Sequence, residues 1–111
     1  MKISELSSSL ELEVINMSDS DRRVVGAYAG DLLSWVMTRL SADCAWITIM
    51  SNINSIAVAS LADASCIIFT ENAEVGEDVL LKAKEEGINI FRTPKSTFDI
   101  AYSIGKMLYA E

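Results

Sequence analysis

The chain has 111 residues, half of them hydrophobic, and a formal net charge of −7. This acidic balance argues against DNA and RNA, which need a basic patch, and against anionic membrane surfaces. The acidic composition does not exclude a phosphorylated small molecule as a ligand, because backbone N–H groups can bind phosphate without net positive charge. The length predicts a single domain over residues 1–111 with a hydrophobic core.

The residue types present limit the chemistry further. The sequence contains no histidine, so Ser–His and Cys–His nucleophile pairs and histidine-ligated zinc sites are impossible within one chain. Cys44 and Cys66 stand in apolar stretches and are interpreted as buried thiols that act as small hydrophobes. The N-terminus does not resemble a signal peptide. We therefore expect a cytoplasmic protein that is not an enzyme and has no cofactor and no metal.

The first 40 residues predict two strands and two helices. Residues 3–7 can form one or two helical turns, and residues 10–14 alternate between apolar and acidic, as in a strand with one wet face. A second strand is predicted over residues 22–28, at a sheet edge because Gly26 weakens a strand interior. A helix is then predicted from residues 30–31, with Asp31 as its N-cap. Its apolar face would contain Leu32, Leu33, Val36, Met37 and Leu40.

Residues 44–62 carry no charged side chain, over a length that would suit a membrane span. Polar residues stand in the middle of this stretch, where buried amides are costly in lipid. We therefore predict a strand, a polar turn and a helix of small residues.

From residue 46 onward, strand and helix alternate three times. The predicted strands cover residues 46–50, 66–70 and 88–91, and the last two predicted helices cover 74–86 and 96–109. Gly87 stands where a helix end favours a left-handed residue, and Ser96 with Asp99 is similar to a capping box. This order predicts an α/β fold with three layers, in which helices flank a mostly parallel sheet of about five strands.

Ligands of open parallel sheets bind beyond the carboxyl ends of the strands. Polar turns over residues 50–54, 70–73 and 92–96 occupy these positions, and each leads into a helix. One interpretation is a pocket for an anion or a nucleotide, built from side-chain donors and helix N-termini. The other is that each polar residue is only a helix cap or a turn former. No glycine-rich phosphate loop is present. The candidate ligand-binding residues are Ser51, Asn52, Asn54, Thr70, Asn72, Thr93 and Ser96.

Asp31 and Ser34, at the start of the first long helix, are a second candidate site, although capping alone accounts for Asp31. A run of carboxylates near residues 71–78 suits the dipole of a helix N-terminus and needs no metal. Trp35 and Trp46 are expected to anchor the core or an interface.

Four stretches carry a family resemblance. Residues 26–34 read Gly-Ala-Tyr-Ala-Gly-Asp-Leu-Leu-Ser, and residues 46–49, 56–61 and 67–70 follow in matching order and spacing. Together they resemble the DRTGG domain family over nearly the whole chain, in particular its short stand-alone members. The resemblance implies a fold like the N-terminal domain of HPr kinase/phosphorylase. It also implies a regulatory, dimerising role, as in relatives fused to phosphotransacetylase or to pyrophosphatases with CBS domains.

The family's name-giving residues are only partly present. Its Asp-Arg-Thr segment falls at residues 51–54, which hold no arginine, and of Thr-Gly-Gly only Thr70 is kept. The kinase activity of HPr kinase belongs to a separate P-loop domain, and this sequence has no P-loop. We therefore expect a non-catalytic regulatory or interaction module that is a homodimer and can have a protein partner. The alternative is a sensor of a small anionic ligand, either a nucleotide or a phosphorylated metabolite.

Overall fold

A five-stranded mixed sheet forms the centre of the computed structural model, which describes residues 1–110. The order across the sheet is β1-β5-β4-β3-β2; β1 is antiparallel to β5, and the other neighbours are parallel. This confirms the predicted α/β class with a mostly parallel sheet, and it confirms the second strand at an edge. The strands are β1 (Glu13–Asn16), β2 (Gly26–Ala29), β3 (Cys44–Thr48), β4 (Cys66–Phe69) and β5 (Asn89–Arg92).

Among residues 1–110, five helices form the two outer layers: α1 (Ile3–Ser9), α2 (Leu33–Arg39), α3 (Ile53–Ala62), α4 (Glu77–Glu86) and α5 (Thr97–Tyr109). Successive strand residues point to opposite faces of the sheet. Trp46 and Phe69 pack with α2, α3 and α4, whereas Ile47 and Ile68 pack with α1 and α5. The inner strands are therefore buried on both faces, which explains their unbroken apolar runs.

Three predicted boundaries are wrong by about one turn. β2 begins at Gly26 and not at residue 22, because Arg23 forms only an isolated bridge with Lys2. β1 begins at Glu13 and not at residue 10, because Leu12 N still bonds to Ser7 O at the end of α1. α4 begins at Glu77 and not at residue 74, because Glu71 and Asn72 have left-handed φ angles of 58° and 57° and the loop continues to residue 76. At the starts of β1 and α4 a local turn competes with the periodic pattern.

The predicted cap of α2 is also wrong. The helix begins at Leu33, its N-cap is Leu32, and no side chain caps it. Oδ1 of Asp31 accepts instead from Thr48 Oγ1 at 2.7 Å and from Ile49 N at 3.0 Å. The carboxylate of Asp31 therefore binds the end of β3. Because Thr48 is 17 residues away in the sequence, no local pattern predicts this contact.

α2 buries less of its surface than its pattern predicts. Val36 is its buried residue, whereas Leu32 and Met37, both expected in the core, are 61% and 56% exposed. Trp46 is completely buried, but Trp35 is 55% exposed. The outer side of α2 is therefore an exposed apolar surface.

The uncharged stretch over residues 44–62 forms β3, a turn and α3, as predicted. Within residues 1–110, no helix has both the length and the apolar character that a membrane span requires.

Candidate functional site

The loops that follow β3, β4 and β5 lie side by side at one border of the sheet. We call this border the carboxyl rim and define it as residues 49–54, 70–76 and 93–97. Thr70 N donates to Thr48 O at 3.1 Å, and Thr93 N donates to Phe69 O at 2.9 Å, so the loops begin at the same level. The parallel strand order therefore brings the three predicted turns together.

Hydrogen bonds join these loops to one another. Glu71 N donates to Lys95 O at 2.9 Å, and Asn72 N donates to Thr93 O at 3.0 Å. Oγ1 of Thr70 lies 2.6 Å from Oγ1 of Thr97. The space between the loops after β4 and β5 is therefore filled by hydrogen bonds and is not an open crevice.

The loop after β3 contacts the loop after β4 through a side chain. Ser51 Oγ donates to Glu74 O at 2.5 Å. With the bonds between the β4 and β5 loops, this contact makes the carboxyl rim one connected network.

Three of the seven predicted residues have local structural partners. Asn52 Oδ1 caps α3 by accepting from the N–H groups of residues 54 and 55, at 3.0 and 3.2 Å. Ser96 Oγ caps α5 by accepting from Asp99 N at 3.1 Å, and Thr93 Oγ1 accepts from Lys95 N at 3.2 Å. Capping and turn formation therefore account for Asn52, Thr93 and Ser96.

The other predicted residues differ in the solvent exposure of their side chains. Thr70 is fully buried, whereas Asn54 and Asn72 are exposed. Of the second candidate pair, Asp31 joins the rim through its bonds at the end of β3. Ser34 is exposed in the first turn of α2. Of the seven predicted rim residues, Asn54 and Asn72 are thus the ones whose side chains are exposed.

A groove of about 560 Å³ opens beside the rim, between β1, β5 and the start of α4. Among the predicted residues, only Ser51 lines it. Glu13, Glu74 and Asp78 contribute three carboxylates to its wall, and Arg92 is its one basic lining residue. Because like charges repel, the groove is electrostatically unsuited to a phosphate group.

Arg92 and Lys95 are rim-side residues that sequence reasoning missed. Arg92 Nε donates to Ala73 O at 2.7 Å and its Nη2 donates to Asn72 O at 3.0 Å, so the guanidinium fixes the loop after β4. Lys95 is exposed between the end of β5 and the start of α5. A basic residue at the carboxyl end of a buried strand was the available signal.

The two cysteines lie at the amino ends of β3 and β4, at the opposite end of the strands from the carboxyl rim. Burial raises the pKa of the Cys44 thiol, which is half-buried, and of the fully buried Cys66 thiol, so both favour the unreactive protonated form. Among residues 1–110, no group of three or more cysteine, aspartate or glutamate side chains is close enough to hold a metal ion.

Comparisons with known proteins agree on one family. Residues 5–107 match the model of the DRTGG domain. The fold is similar to the crystal structure of the CBS and DRTGG domains of the regulatory region of Clostridium perfringens pyrophosphatase, complexed with its activator diadenosine tetraphosphate. The TM-score is 0.72 at 14% identity, and the match covers 91% of this chain and 44% of that chain. This chain thus spans less than half of that neighbour. No curated protein matches the sequence.

Proposed function

The chain belongs to the DRTGG domain family, and on that premise we propose that it is a regulatory, ligand-sensing module that acts as a cytoplasmic homodimer. The proposed ligand is a nucleotide or another phosphorylated metabolite, bound at the carboxyl rim. The observation that carries the proposal is the hydrogen-bonded connection of three loops that follow three different strands.

This connection gives a ligand a route to the rest of the fold. The loops after β3 and β4 lead into α3 and α4 in one layer, and the loop after β5 leads into α5 in the other. A ligand that moves the 93–97 loop must also change its bonds to Glu71 and Asn72. Binding at one point of the rim can therefore shift elements in both helical layers, as regulation requires.

The part of the rim near α5 suits an anion best. Ser96 caps only Asp99 N, and in the part of the chain that the structure describes the N–H groups of Thr97 and Phe98 have no acceptor. Such N–H groups and the helix dipole favour phosphate. Lys95 adds a positive charge at this position and Asp99 a negative one in the first turn of α5, whereas three acidic residues line the groove near α4.

A nucleotide is the first ligand to test. The structural neighbour belongs to the regulatory region of a pyrophosphatase that was crystallised with a dinucleotide activator. At 14% identity the likeness extends to the fold alone, so the site in this chain is argued from its own residues.

We further propose that the module is not an enzyme. The sequence has no histidine, the pKa of each thiol is raised by burial, and Ser51, Thr70 and Ser96 have their hydroxyls in hydrogen bonds. A hydroxyl needs an adjacent base to act as a nucleophile. Both cysteines are free thiols, as is usual in a reducing cytoplasm.

Thermal unfolding in the presence of diadenosine tetraphosphate, ADP or inorganic phosphate tests the proposal. A ligand at about 100 times its Kd stabilises the folded state by about 2.7 kcal/mol and raises Tm by several degrees. Lys95→Glu should weaken binding of the same ligand about tenfold, because it replaces the attractive charge with a repulsive one. Lys84→Glu makes the same change on exposed α4 and is the control.

Two results would count against the proposal in different ways. If none of the three compounds shifts Tm, the sensing function is wrong for these ligands. If a compound binds and Lys95→Glu binds it as tightly as Lys84→Glu does, the ligand site lies elsewhere than at α5.

A further inference from the structure

The outer side of β2 is an unpaired strand edge. β2 pairs in parallel with β3, with Ala29 opposite Ile47, and Gly30 N donates to Ile47 O at 3.1 Å. In a pair of parallel strands, the backbone N–H and C=O groups of successive residues point alternately toward and away from the neighbouring strand. Ala27 and Ala29 therefore direct their N–H and C=O groups away from β3, and no segment within residues 1–110 pairs with them.

Residues 1 and 2 cover the beginning of this edge by pairing with residues 23 and 24. From Gly26 to Gly30 the edge lacks the features with which natural sheets block further pairing. Exposed edges normally carry charged residues, proline or a bulge. The other edge strand, β1, has Glu13 and a register shift between Val14 and Asn16. Residues 24–30 contain no charge and no proline, and β2 keeps a regular register with β3. The β2 edge is therefore a template for another strand.

Two copies of this edge can pair antiparallel about a two-fold axis. Residues 26–30 read Gly-Ala-Tyr-Ala-Gly, which is the same in both directions. If two copies pair antiparallel about Tyr28, Ala27 of each copy lies opposite Ala29 of the other. Both residues have outward-facing backbone groups, so each of these pairs can exchange two hydrogen bonds.

Exposed apolar side chains flank this edge in both layers. On one side, Ala27 and Ala29 line a cavity of about 230 Å³ against the second half of α5. Tyr109 borders the same cavity and is 74% exposed. On the other side, Leu32 and Trp35 of the adjoining α2 segment are 61% and 55% exposed. A second copy at the edge would bring equivalent apolar surfaces together on both faces of the joined sheet.

Charge also favours antiparallel pairing of two copies. The edge has a basic residue before it, Arg23, and an acidic residue after it, Asp31. In the described part of the chain, Arg23 forms no salt bridge. Antiparallel pairing about Tyr28 places Asp31 of each copy opposite Val25 of the other, two residues along the strand from Arg23. Residues 23–31 have no net charge, so repulsion between two chains of net charge −7 is low here.

We propose that β2 pairs antiparallel with β2 of a second copy of this chain, about a two-fold axis at Tyr28, so that the two sheets become one continuous sheet. The inference rests on the proposed function, because it names the interface of the homodimer proposed there.

Sedimentation velocity at tens of micromolar tests the interface. The wild type should be a dimer, and Ala27→Lys should raise its dissociation constant about tenfold or more, because a lysine on each edge sets like charges against each other. Ala57→Lys makes the same change on the exposed side of α3 and should leave the dimer intact. Circular dichroism establishes that each variant is folded.

The outcomes separate the two proposals. A monomeric wild type would overturn the dimer itself. A dimeric wild type with an equally dimeric, folded Ala27→Lys variant would overturn the β2 interface and leave the proposed dimer standing.

Cross-linking tests the register and does not depend on the lysine variant. In a Cys44→Ser background, Tyr28→Cys puts two thiols on the axis, with Cα atoms about 4.5–5.5 Å apart, within disulfide range. Ala27→Cys is the matched control, because its two copies would be offset by two residues along the strands and lie about 8 Å apart. We expect a disulfide dimer only from Tyr28→Cys. Cross-linking of neither variant, or of Ala27→Cys alone, would overturn the proposed pairing.

Discussion

The two ends of the parallel strands both bury polar side chains, but these side chains make different contacts. At the amino end, Asn89 and Ser65 are each 2% exposed. Asn89 Oδ1 accepts from Ser18 N at 2.8 Å and Asp19 N at 2.9 Å, and its Nδ2 donates to Asp19 O and Ser65 O. At the carboxyl rim the buried Thr70 bonds to Thr97 and the buried Thr93 bonds to Lys95 N in its own loop, whereas Asn54 and Asn72 are exposed. At the amino end one buried side chain thus joins distant segments, whereas the rim combines buried polar side chains with exposed ones that a ligand can reach.

A salt-bridge cluster strengthens the amino end further. Arg22 Nη2 lies 2.9 Å from Asp43 Oδ1 and 3.1 Å from Asp63 Oδ1, and it donates to Asp63 O at 2.7 Å. Partial burial disfavours the guanidinium charge, but the hydrogen bonds to the two carboxylates outweigh it and raise the pKa of Arg22. The cluster holds the turns before β3 and β4 together, which gives the amino end a stabilising role.

The largest expected effect is from Asn89→Ala. The substitution removes four hydrogen bonds and leaves backbone groups of Ser18, Asp19 and Ser65 without their partner. Unsatisfied groups of this kind cost about 1–3 kcal/mol each when fully buried, so we expect a loss of about 3 kcal/mol from the partly buried set. The free energy of unfolding in urea measures it.

Asn54→Ala is the control at the carboxyl rim. Its side chain is exposed, and the change in stability should stay within about 0.5 kcal/mol. Similar losses from the two variants would mean that the ends of the sheet do not differ in the proposed way.

The second largest expected effect is a loss of folding stability at alkaline pH, caused by Cys66 at the amino end of β4. Burial raises the pKa of the Cys66 thiol, although the Arg22 charge opposes the shift. The unfolded chain ionises this thiol near its ordinary pKa of about 8.5, while the folded chain keeps it protonated. Its contribution to stability is therefore complete below about pH 8.5 and declines above it, by up to about 1.4 kcal/mol per pH unit.

Urea unfolding of the wild type and Cys66→Ala at several values between about pH 7.5 and pH 10 checks this dependence. Cys66→Ala should be less stable at neutral pH, because it leaves a small cavity, but it should lose less stability as the pH rises. Parallel pH curves for the two proteins would show that Cys66 ionises equally in both states.

Sequence reasoning predicted the parts of this structure that repeat locally. The alternation of strand and helix patterns predicted the parallel sheet. In the structure, this sheet brings Asn52, Thr70 and Thr93 to one rim. The contacts of Asn89 with Ser18 and Asp19 join residues about 70 positions apart, and no short pattern marks them. Asp31 shows the same limit, since its local context predicts a cap and its actual partners lie on β3.

The smallest expected effect is at the rim, where the hydroxyls of Thr70 and Thr97 form a pair. Thr70→Val leaves the Thr97 hydroxyl without its partner. Because Thr97 is only half-buried, a water molecule can take the place of the Thr70 hydroxyl. The free energy of unfolding should therefore fall by about 1 kcal/mol. Thr70→Val with Thr97→Val removes both hydroxyls and should cost less than the two single changes added together, since matched apolar replacement leaves no polar group unpaired. Thr38→Val, on the exposed side of α2, is the control. Additive losses, or a loss at Thr70 as large as that at Asn89, would show that the rim is as tightly fixed as the amino end and would leave little freedom for a ligand to shift its loops.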